Sequence, residues 1–119
     1  MLRSVRVLAA ALLLAAACAP QPARTDQVRM LDDPARPEKD WGYEPRAIQV
    51  ASGTTVTFTN TGVVFHTVTA DAAPRAFDAG ANPKEKVTIT FDKPGTWEYH
   101  CGVHPDMKGV VHVCDGACK

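Results

Sequence analysis

The feature that most constrains the fold is a series of short apolar segments, separated by turn residues, that follows residue 41. In the segment Thr54-Thr-Val-Thr-Phe-Thr-Asn60, Val56 and Phe58 alternate with polar residues, which is typical of a half-buried strand. Similar segments predict strands at residues 47–50, 54–60, 63–70, 85–91, 96–101 and 109–113. Because turns such as Ser52-Gly53 recur about every 8–12 residues and no amphipathic helix is present, the sequence predicts an all-β Greek-key sandwich.

The N-terminal residues are typical of an export signal. Arg3 and Arg6 precede an apolar run over residues 7–17, which is shorter than the ~20 residues needed to span a bilayer. We interpret residues 1–17 as a signal peptide. Cys18 follows Leu-Ala-Ala-Ala, which resembles the acylation signal of bacterial lipoproteins, so lipidation of Cys18 is predicted. The alternative is an ordinary signal peptide cleaved nearby, with Cys18 incidental.

The residues that follow are polar and rich in proline. We predict that residues 18–40 form a lipid-anchor cysteine with a flexible tether, that residues 41–113 form the domain, and that residues 114–119 form a tail. An N-terminal arm packed on the domain at residues 28–31 is the alternative to a free tether.

Charge and cysteine content limit the partners and the compartment. Residues 1–17 carry two arginines and no acids, so their removal changes the formal charge from 0 to −2. This balance gives no basic surface for nucleic acid. Because thiols oxidise outside the cytoplasm, Cys114 and Cys118 are predicted to form a disulfide, with a free or metal-binding pair as the alternative.

Three candidate metal ligands lie three residues apart in one loop: Cys101, His104 and Met107. Thiolate and thioether are soft ligands, and a Cys/His/His site with a distant axial Met is typical of electron-transfer copper. Trp97 and Tyr99 should face the core, so strand alternation places Cys101 inward as well. A second histidine must come from elsewhere, and His66, at the end of an apolar run, is the candidate.

Other interpretations of these residues are weaker. His66 alone could be a core histidine whose hydrogen bonds are satisfied, so its assignment depends on the loop. Structural zinc sites use Cys and His ligands without a thioether. Zinc is therefore disfavoured, because the third candidate ligand of the loop is the thioether of Met107. His100 and His112 alternate outward and are read as surface residues.

The segment from Phe91 to Val113 resembles the C-terminal half of the plastocyanin-like cupredoxins, and its Cys-x2-His-x2-Met loop is similar to that of amicyanin. Upstream, residues 53–60, 66–68 and 77–80 also resemble the family. The resemblance implies a cupredoxin-like sandwich with one type 1 (blue) copper that cycles between Cu(I) and Cu(II). It implies His66, Cys101 and His104 as ligands and Met107 as the axial ligand.

Three positions differ from the pattern of the family. Many members have Asn after the first ligand histidine and Ser or Thr after the cysteine, where this chain has Thr67 and Gly102. The link between the two ligand segments is therefore expected to be altered, which would change the reduction potential. His100 replaces the tyrosine that plastocyanins carry before the cysteine, so no electron-entry surface is expected there.

These features predict a periplasmic or other extracytoplasmic, membrane-anchored lipoprotein that shuttles single electrons. Redox partner proteins should dock transiently near His104, beside Val103 and Pro105, and the protein should be a monomer. Enzymatic activity is not expected, since copper oxidases and nitrite reductases need further ligands and domains. The alternative function is extracytoplasmic copper storage or delivery.

Overall fold

The computed structural model describes residues 21–119, so the predicted signal peptide and Cys18 lie outside the described residues. This part of the chain forms ten strands and one short 3₁₀ turn, Glu38–Asp40. The strands are β1 (Ala23–Arg24), β2 (Gln27–Leu31), β3 (Gly42–Glu44), β4 (Ala47–Ala51), β5 (Thr54–Asn60), β6 (His66–Ala70), β7 (Asp78–Ala81), β8 (Lys86–Phe91), β9 (Gly95–His100) and β10 (Lys108–Cys114). No helix within residues 21–119 is both long and apolar enough to cross a membrane.

The strands form two sheets that enclose one core, as the predicted Greek-key sandwich requires. One sheet has the order β1-β4-β10-β9-β6-β7, and the other has the order β3-β2-β5-β8. The parallel pairs are β1 with β4, β4 with β10, and β2 with β5. The central pair β9 and β10 is antiparallel and joined by the loop of residues 101–107. This connection places the predicted ligand loop at one end of the sandwich.

Side-chain alternation fills the core as the sequence predicts. Val56 and Phe58 of β5 are fully buried, and Tyr99 of β9 packs edge-to-face on Phe58. Gly109 of β10 lies opposite Tyr99, where a Cβ atom would come within 2.4 Å of the Tyr99 hydroxyl oxygen. A residue without a side chain is therefore needed at position 109.

The prediction of a flexible tether over residues 18–40 is wrong for β2. Val28 and Met30 are buried, and β2 pairs with both β3 and β5 in the smaller sheet. The alternative of a packed arm at residues 28–31 agrees with this arrangement. Two apolar residues among prolines make a weak strand signal, and their burial depends on the groove that β3 and β5 leave between them.

The strand predicted at residues 63–70 begins later than expected, at His66. Residues 61–65 are a loop before β6, because the buried Asn60 amide donates to the carbonyl oxygens of Val64 (2.8 Å) and Ala81 (2.9 Å) and accepts from Gly62 N–H (2.9 Å). These bonds hold residues 61–64 in a turn.

The C-terminal cysteines are joined to each other. Cys114, the last residue of β10, forms a disulfide with Cys118.

Candidate metal centre

Three predicted ligands converge at the end of the sandwich that carries the 101–107 loop. The Cys101 Sγ atom lies 3.9 Å from His66 Nδ1 and 3.6 Å from His104 Nδ1. All three donor atoms lie within 4.8 Å of one another. Nitrogen and sulfur ligands lie about 2.0–2.3 Å from a bound transition metal, so donors of one ion are separated by up to about 4.5 Å. The cluster therefore has the dimensions of a single metal site.

The loop is closed by its own backbone. Met107 N–H donates to the His104 carbonyl oxygen (2.9 Å), and Cys101 N–H donates to the Met107 carbonyl oxygen (3.0 Å). Met107 and Cys101 are fully buried, whereas Val103 is 52% exposed. Met107 is thus held inside the same compact loop as the other two residues of the motif.

The surroundings of Cys101 favour loss of the thiol proton. Burial opposes its loss of a proton, but contacts with His66, with the N–H groups of Thr67 and Val103, and with His104 lower the pKa of Cys101 to about 6. The Thr67 N–H donates to Cys101 Sγ over 3.3 Å. Because the thiolate is the form that binds metal, the surroundings favour ligation at neutral pH.

His66 presents one ring nitrogen to the cluster and the other to a carboxylate. Its Nε2–H donates to Asp32 Oδ2 over 2.7 Å, and both side chains are fully buried. Burial opposes protonation of His66, but its contacts with Cys101 and Asp32 raise its pKa. Burial also opposes ionisation of Asp32, whose pKa is nevertheless lowered by donation from the N–H of Val63, from His66 and from the N–H of Val64. A carboxylate–histidine pair of this kind is the usual outer support of a metal ligand.

His104 has a different environment. It is partly exposed, and its ring meets the Trp41 ring edge-on with the centroids 5.1 Å apart. The Trp41 indole N–H donates to the Asp33 carbonyl oxygen over 2.9 Å, which fixes the indole beside the site. Within residues 21–119, no side chain or backbone group forms a hydrogen bond with His104 Nε2.

The two ligand segments are linked through a hydroxyl group. Gly102 N–H donates to Thr67 Oγ1 (2.7 Å), Thr67 Oγ1 contacts Thr69 Oγ1 (2.8 Å), and Thr69 donates to Asp78 Oδ1 (2.8 Å). The Asp78 carboxylate can only accept, so Thr69 donates to it and accepts from Thr67. Thr67 therefore joins the strand of His66 to the ligand loop through its hydroxyl group.

Sequence reasoning missed two residues beside the site and placed two others correctly on the periphery. The sequence places Asp32 in the predicted tether and Trp41 at the start of the predicted domain, and neither prediction includes a role at the site. A signal for Asp32 exists in its position, because it follows the alternating Val28 and Met30 at the end of β2. His100, one of the predicted surface histidines, contacts the Asp71 carboxylate, and His112 contacts Thr96 Oγ1 at 3.3 Å.

The donors present fit copper. One thiolate and two imidazoles within bonding distance of a common point, with a buried thioether in the same loop, form a soft set that suits copper better than magnesium, calcium or structural zinc.

Comparison with known proteins assigns the family. Residues 5–113 match the family described as the cupredoxin-like domain. The chain belongs to the cupredoxin family. This membership and the donor cluster confirm the predicted family, the sandwich fold and one copper ion as the cofactor of this cupredoxin.

Curated relatives include both groups that the sequence resembles. This cupredoxin is 34% identical over 120 residues to plastocyanin from Prochlorothrix hollandica, covering 92% of this chain and 88% of the relative. It is 36% identical over 75 residues to amicyanin from Paracoccus denitrificans, covering 60% and 57% of the two chains. It is 39% identical over 84 residues to chloroplastic plastocyanin from Physcomitrium patens, covering 60% of this chain but only 50% of that relative.

Solved structures agree on the fold. A novel purple cupredoxin from Nitrosopumilus maritimus superposes with a TM-score of 0.67 at 25% identity, covering 74% of this chain and 98% of that one. A copper-containing nitrite reductase from Thermus scotoductus superposes with a TM-score of 0.62 at 29% identity, and the match covers 87% of this chain but 24% of the reductase. The same fold thus occurs both as a small cupredoxin and as part of a larger enzyme.

Proposed function

We propose that this cupredoxin is an exported electron carrier that holds one type 1 copper ion between His66, Cys101 and His104, with Met107 as axial ligand. When bound, the copper ion supplies a one-electron couple between Cu(I) and Cu(II). The observation that carries the proposal is the convergence of His66 Nδ1, Cys101 Sγ and His104 Nδ1 within 4.8 Å.

The protein's part in electron transfer is to keep the ligands still. Cys101 and Met107 are buried and joined by backbone hydrogen bonds, and His66 is fixed on β6 by Asp32. Packed, hydrogen-bonded ligands resist rearrangement when the charge at the site changes. A carrier needs this property because slow rearrangement would limit the exchange rate.

Redox partners would dock at the end of the sandwich where His104 is partly exposed. Three large apolar side chains are exposed in the two loops that flank the cluster: Val63 (63%), Phe65 (42%) and Val103 (52%). With the exposed Pro105, they would give this end of the sandwich a small apolar docking surface suited to brief encounters between proteins. The predicted docking surface at Val103 and Pro105 therefore extends to the 61–65 loop.

Export and lipid anchoring are further parts of the proposal. The disulfide between Cys114 and Cys118 supports an oxidising compartment. Expression of the full chain in a bacterium, followed by cell fractionation and mass spectrometry of the N-terminus, tests acylation of Cys18, with Cys18→Ser as the control. An unmodified, freely soluble product that begins at another residue would contradict the lipid anchor.

The function itself is tested by adding Cu(II) to the purified protein. We expect an intense visible band from thiolate-to-copper charge transfer, reversible one-electron reduction, and loss of the band in Cys101→Ser. A colourless complex that does not cycle, but releases copper to an acceptor protein, would instead support copper storage or delivery. Nitrite reduction by the loaded protein would show that the chain is an enzyme and would contradict a simple carrier.

A further inference from the structure

We propose that Asp32 is a positioning residue of the copper site, which fixes the His66 ring and lowers the reduction potential. The inference rests on the proposed function, because it assigns His66 as a ligand. It concerns a part of the chain, the segment after β2, that the family's Cys-x2-His-x2-Met motif does not include.

Asp32 occupies a pocket made by the turn of residues 62–64. Its Oδ1 accepts from Val63 N–H (3.0 Å), and its Oδ2 accepts from Val63 N–H (3.0 Å), Val64 N–H (3.3 Å) and His66 Nε2–H (2.7 Å). The carboxylate has no exposed surface. A buried carboxylate is tolerated only when it is paired or well hydrogen-bonded, and here every bond comes from the loop and from His66.

The pocket is shaped for this carboxylate. A Cβ atom on Gly62 would lie 1.8 Å from Asp32 Oδ2 and 2.5 Å from its carboxyl carbon, so only glycine leaves room. The Asn60 amide holds the turn from the other side through Gly62 N–H and the Val64 carbonyl oxygen. Thr61 N–H donates to the Met30 carbonyl oxygen over 3.1 Å, which joins the turn to the end of β2 two residues before Asp32.

This geometry decides which ring nitrogen of His66 carries the proton. Backbone N–H groups can only donate, and the carboxylate can only accept, so Nε2 must supply the hydrogen. The lone pair is then on Nδ1, which is the atom 3.9 Å from Cys101 Sγ. Asp32 therefore presents His66 to the metal in the form that can bind it.

The charge of Asp32 also affects the two oxidation states unequally. A carboxylate that accepts from a ligand histidine makes the ring a stronger donor, and its negative charge favours the more highly charged Cu(II). Removing such a partner typically costs 10–100-fold in metal affinity. A tenfold loss confined to Cu(II) corresponds to a rise in potential of about 59 mV for a one-electron couple.

The first experiment compares Asp32→Asn with Asp33→Asn by voltammetry of the copper-loaded proteins. Both variants lose one negative charge at neighbouring positions, but the Asp33 side chain is exposed and contacts no ligand, and the substitution keeps the Asp33 carbonyl oxygen that accepts from Trp41. We expect the Asp32 variant to show a raised potential and at least tenfold weaker Cu(II) binding, while the Asp33 variant stays close to the wild type. Equal potentials in the two variants would overturn the proposal.

A second pair of variants leaves the charges unchanged. Gly62→Ala should displace the carboxylate and raise the potential as Asp32→Asn does, whereas Gly42→Ala places its Cβ where no atom lies within 4 Å. The double variant Gly62→Ala/Asp32→Asn should be no worse than the more affected single one, since both changes remove the same contact. A full additive effect would show that Gly62 acts independently of Asp32.

A third measurement does not depend on any variant folding. Nitrogen-15 NMR of the copper-free wild type, recorded at a pH high enough for the His66 ring to be neutral, should show its single proton on Nε2, and a neutral ring protonated on Nδ1 instead would overturn the proposal. Absence of a visible copper band in the wild type contradicts the proposed function, whereas a normal band with an unresponsive potential contradicts only the role of Asp32.

Discussion

The two histidines of the site differ in almost every respect except their distance to Cys101. His66 lies on a strand, is fully buried and is bound to a buried carboxylate. His104 lies in a short loop, is partly exposed and, outside the ligand cluster, has the edge of the Trp41 ring beside it rather than a carboxylate. One half of the site is therefore fixed by the sandwich, and the other half faces the surface. In the proposed carrier, His66 would set the reduction potential of the copper ion, and His104 would provide the route for electrons.

The largest effect on the copper site is expected when each imidazole ring is removed in turn, which tests the contrast between the two histidines directly. His66→Gly and His104→Gly should both lose the intense visible band after addition of Cu(II). Added imidazole should restore the band in His104→Gly, because its cavity opens to solvent, but not in His66→Gly, where the ring is enclosed. Titration with imidazole, followed by visible spectroscopy, measures the difference.

Equal rescue of both variants would show that the buried position is as accessible as the exposed one, and the contrast between the histidines would fail. Circular dichroism of the copper-free variants provides the control, since each must retain the β-sandwich.

Loss of the Thr67 hydroxyl, which links the strand of His66 to the ligand loop, should have a smaller effect on the site. Thr67→Val keeps the shape of the side chain but leaves Gly102 N–H and the Thr69 hydroxyl without their partner. We expect a loss of about 1–3 kcal/mol in the free energy of unfolding, together with a shift in the reduction potential.

The matched control is Thr55→Val, which removes an exposed hydroxyl pair with Thr90 on β8. Denaturant unfolding should separate the two variants, and voltammetry should show a shifted potential only for Thr67→Val. If the Thr67 variant keeps the wild-type potential, the hydroxyl link stabilises the fold but does not couple the histidines.

The smallest effect should come from the far end of β10. Replacement of both Cys114 and Cys118 by serine opens a very short loop, so the free energy of unfolding should fall by roughly 2 kcal/mol or less. The site lies beyond the opposite end of β10, so the visible spectrum and potential should stay unchanged. A shifted spectrum would mean that the sandwich transmits strain along its length.

The strands and the ligand loop could be predicted because their signals are local. Alternation in residues 54–60 and the spacing of Cys101, His104 and Met107 depend only on neighbouring residues, and β5 has the predicted bounds. The convergence of His66 with Cys101 is not a local signal, since the two residues are 35 positions apart. His66 is a candidate because the loop lacks a second histidine ligand, and the family resemblance supports it.

Alternation after Val28 and Met30 places Asp32 on the buried side of the chain, but the partner of its carboxylate could not be predicted from local signals. Its role depends on the parallel pairing of β2 with β5, which aligns Met30 with Asn60, and on a turn that accepts a carboxylate because residue 62 has no side chain. Neither the pairing nor the space at Gly62 leaves a periodic signal in the sequence. The prolines around β2 also favoured the tether, although Val28 and Met30 are core residues.

The short strand β1 has a consequence for how the protein would sit above a membrane. Ala23 pairs with Ile48, which in turn pairs with Val111 in the middle of β10. Because β1, β4 and β10 are parallel, the chain enters β1 from the side of the sandwich on which β10 begins, which is the side of the ligand loop. Five peptide steps separate Cys18 from Ala23, and they can span no more than about 18 Å. If Cys18 carries a lipid, the connection between Cys18 and Ala23 is too short for the domain to reorient freely above the membrane. It would keep His104 and the apolar surface around it within reach of a partner embedded in the same bilayer.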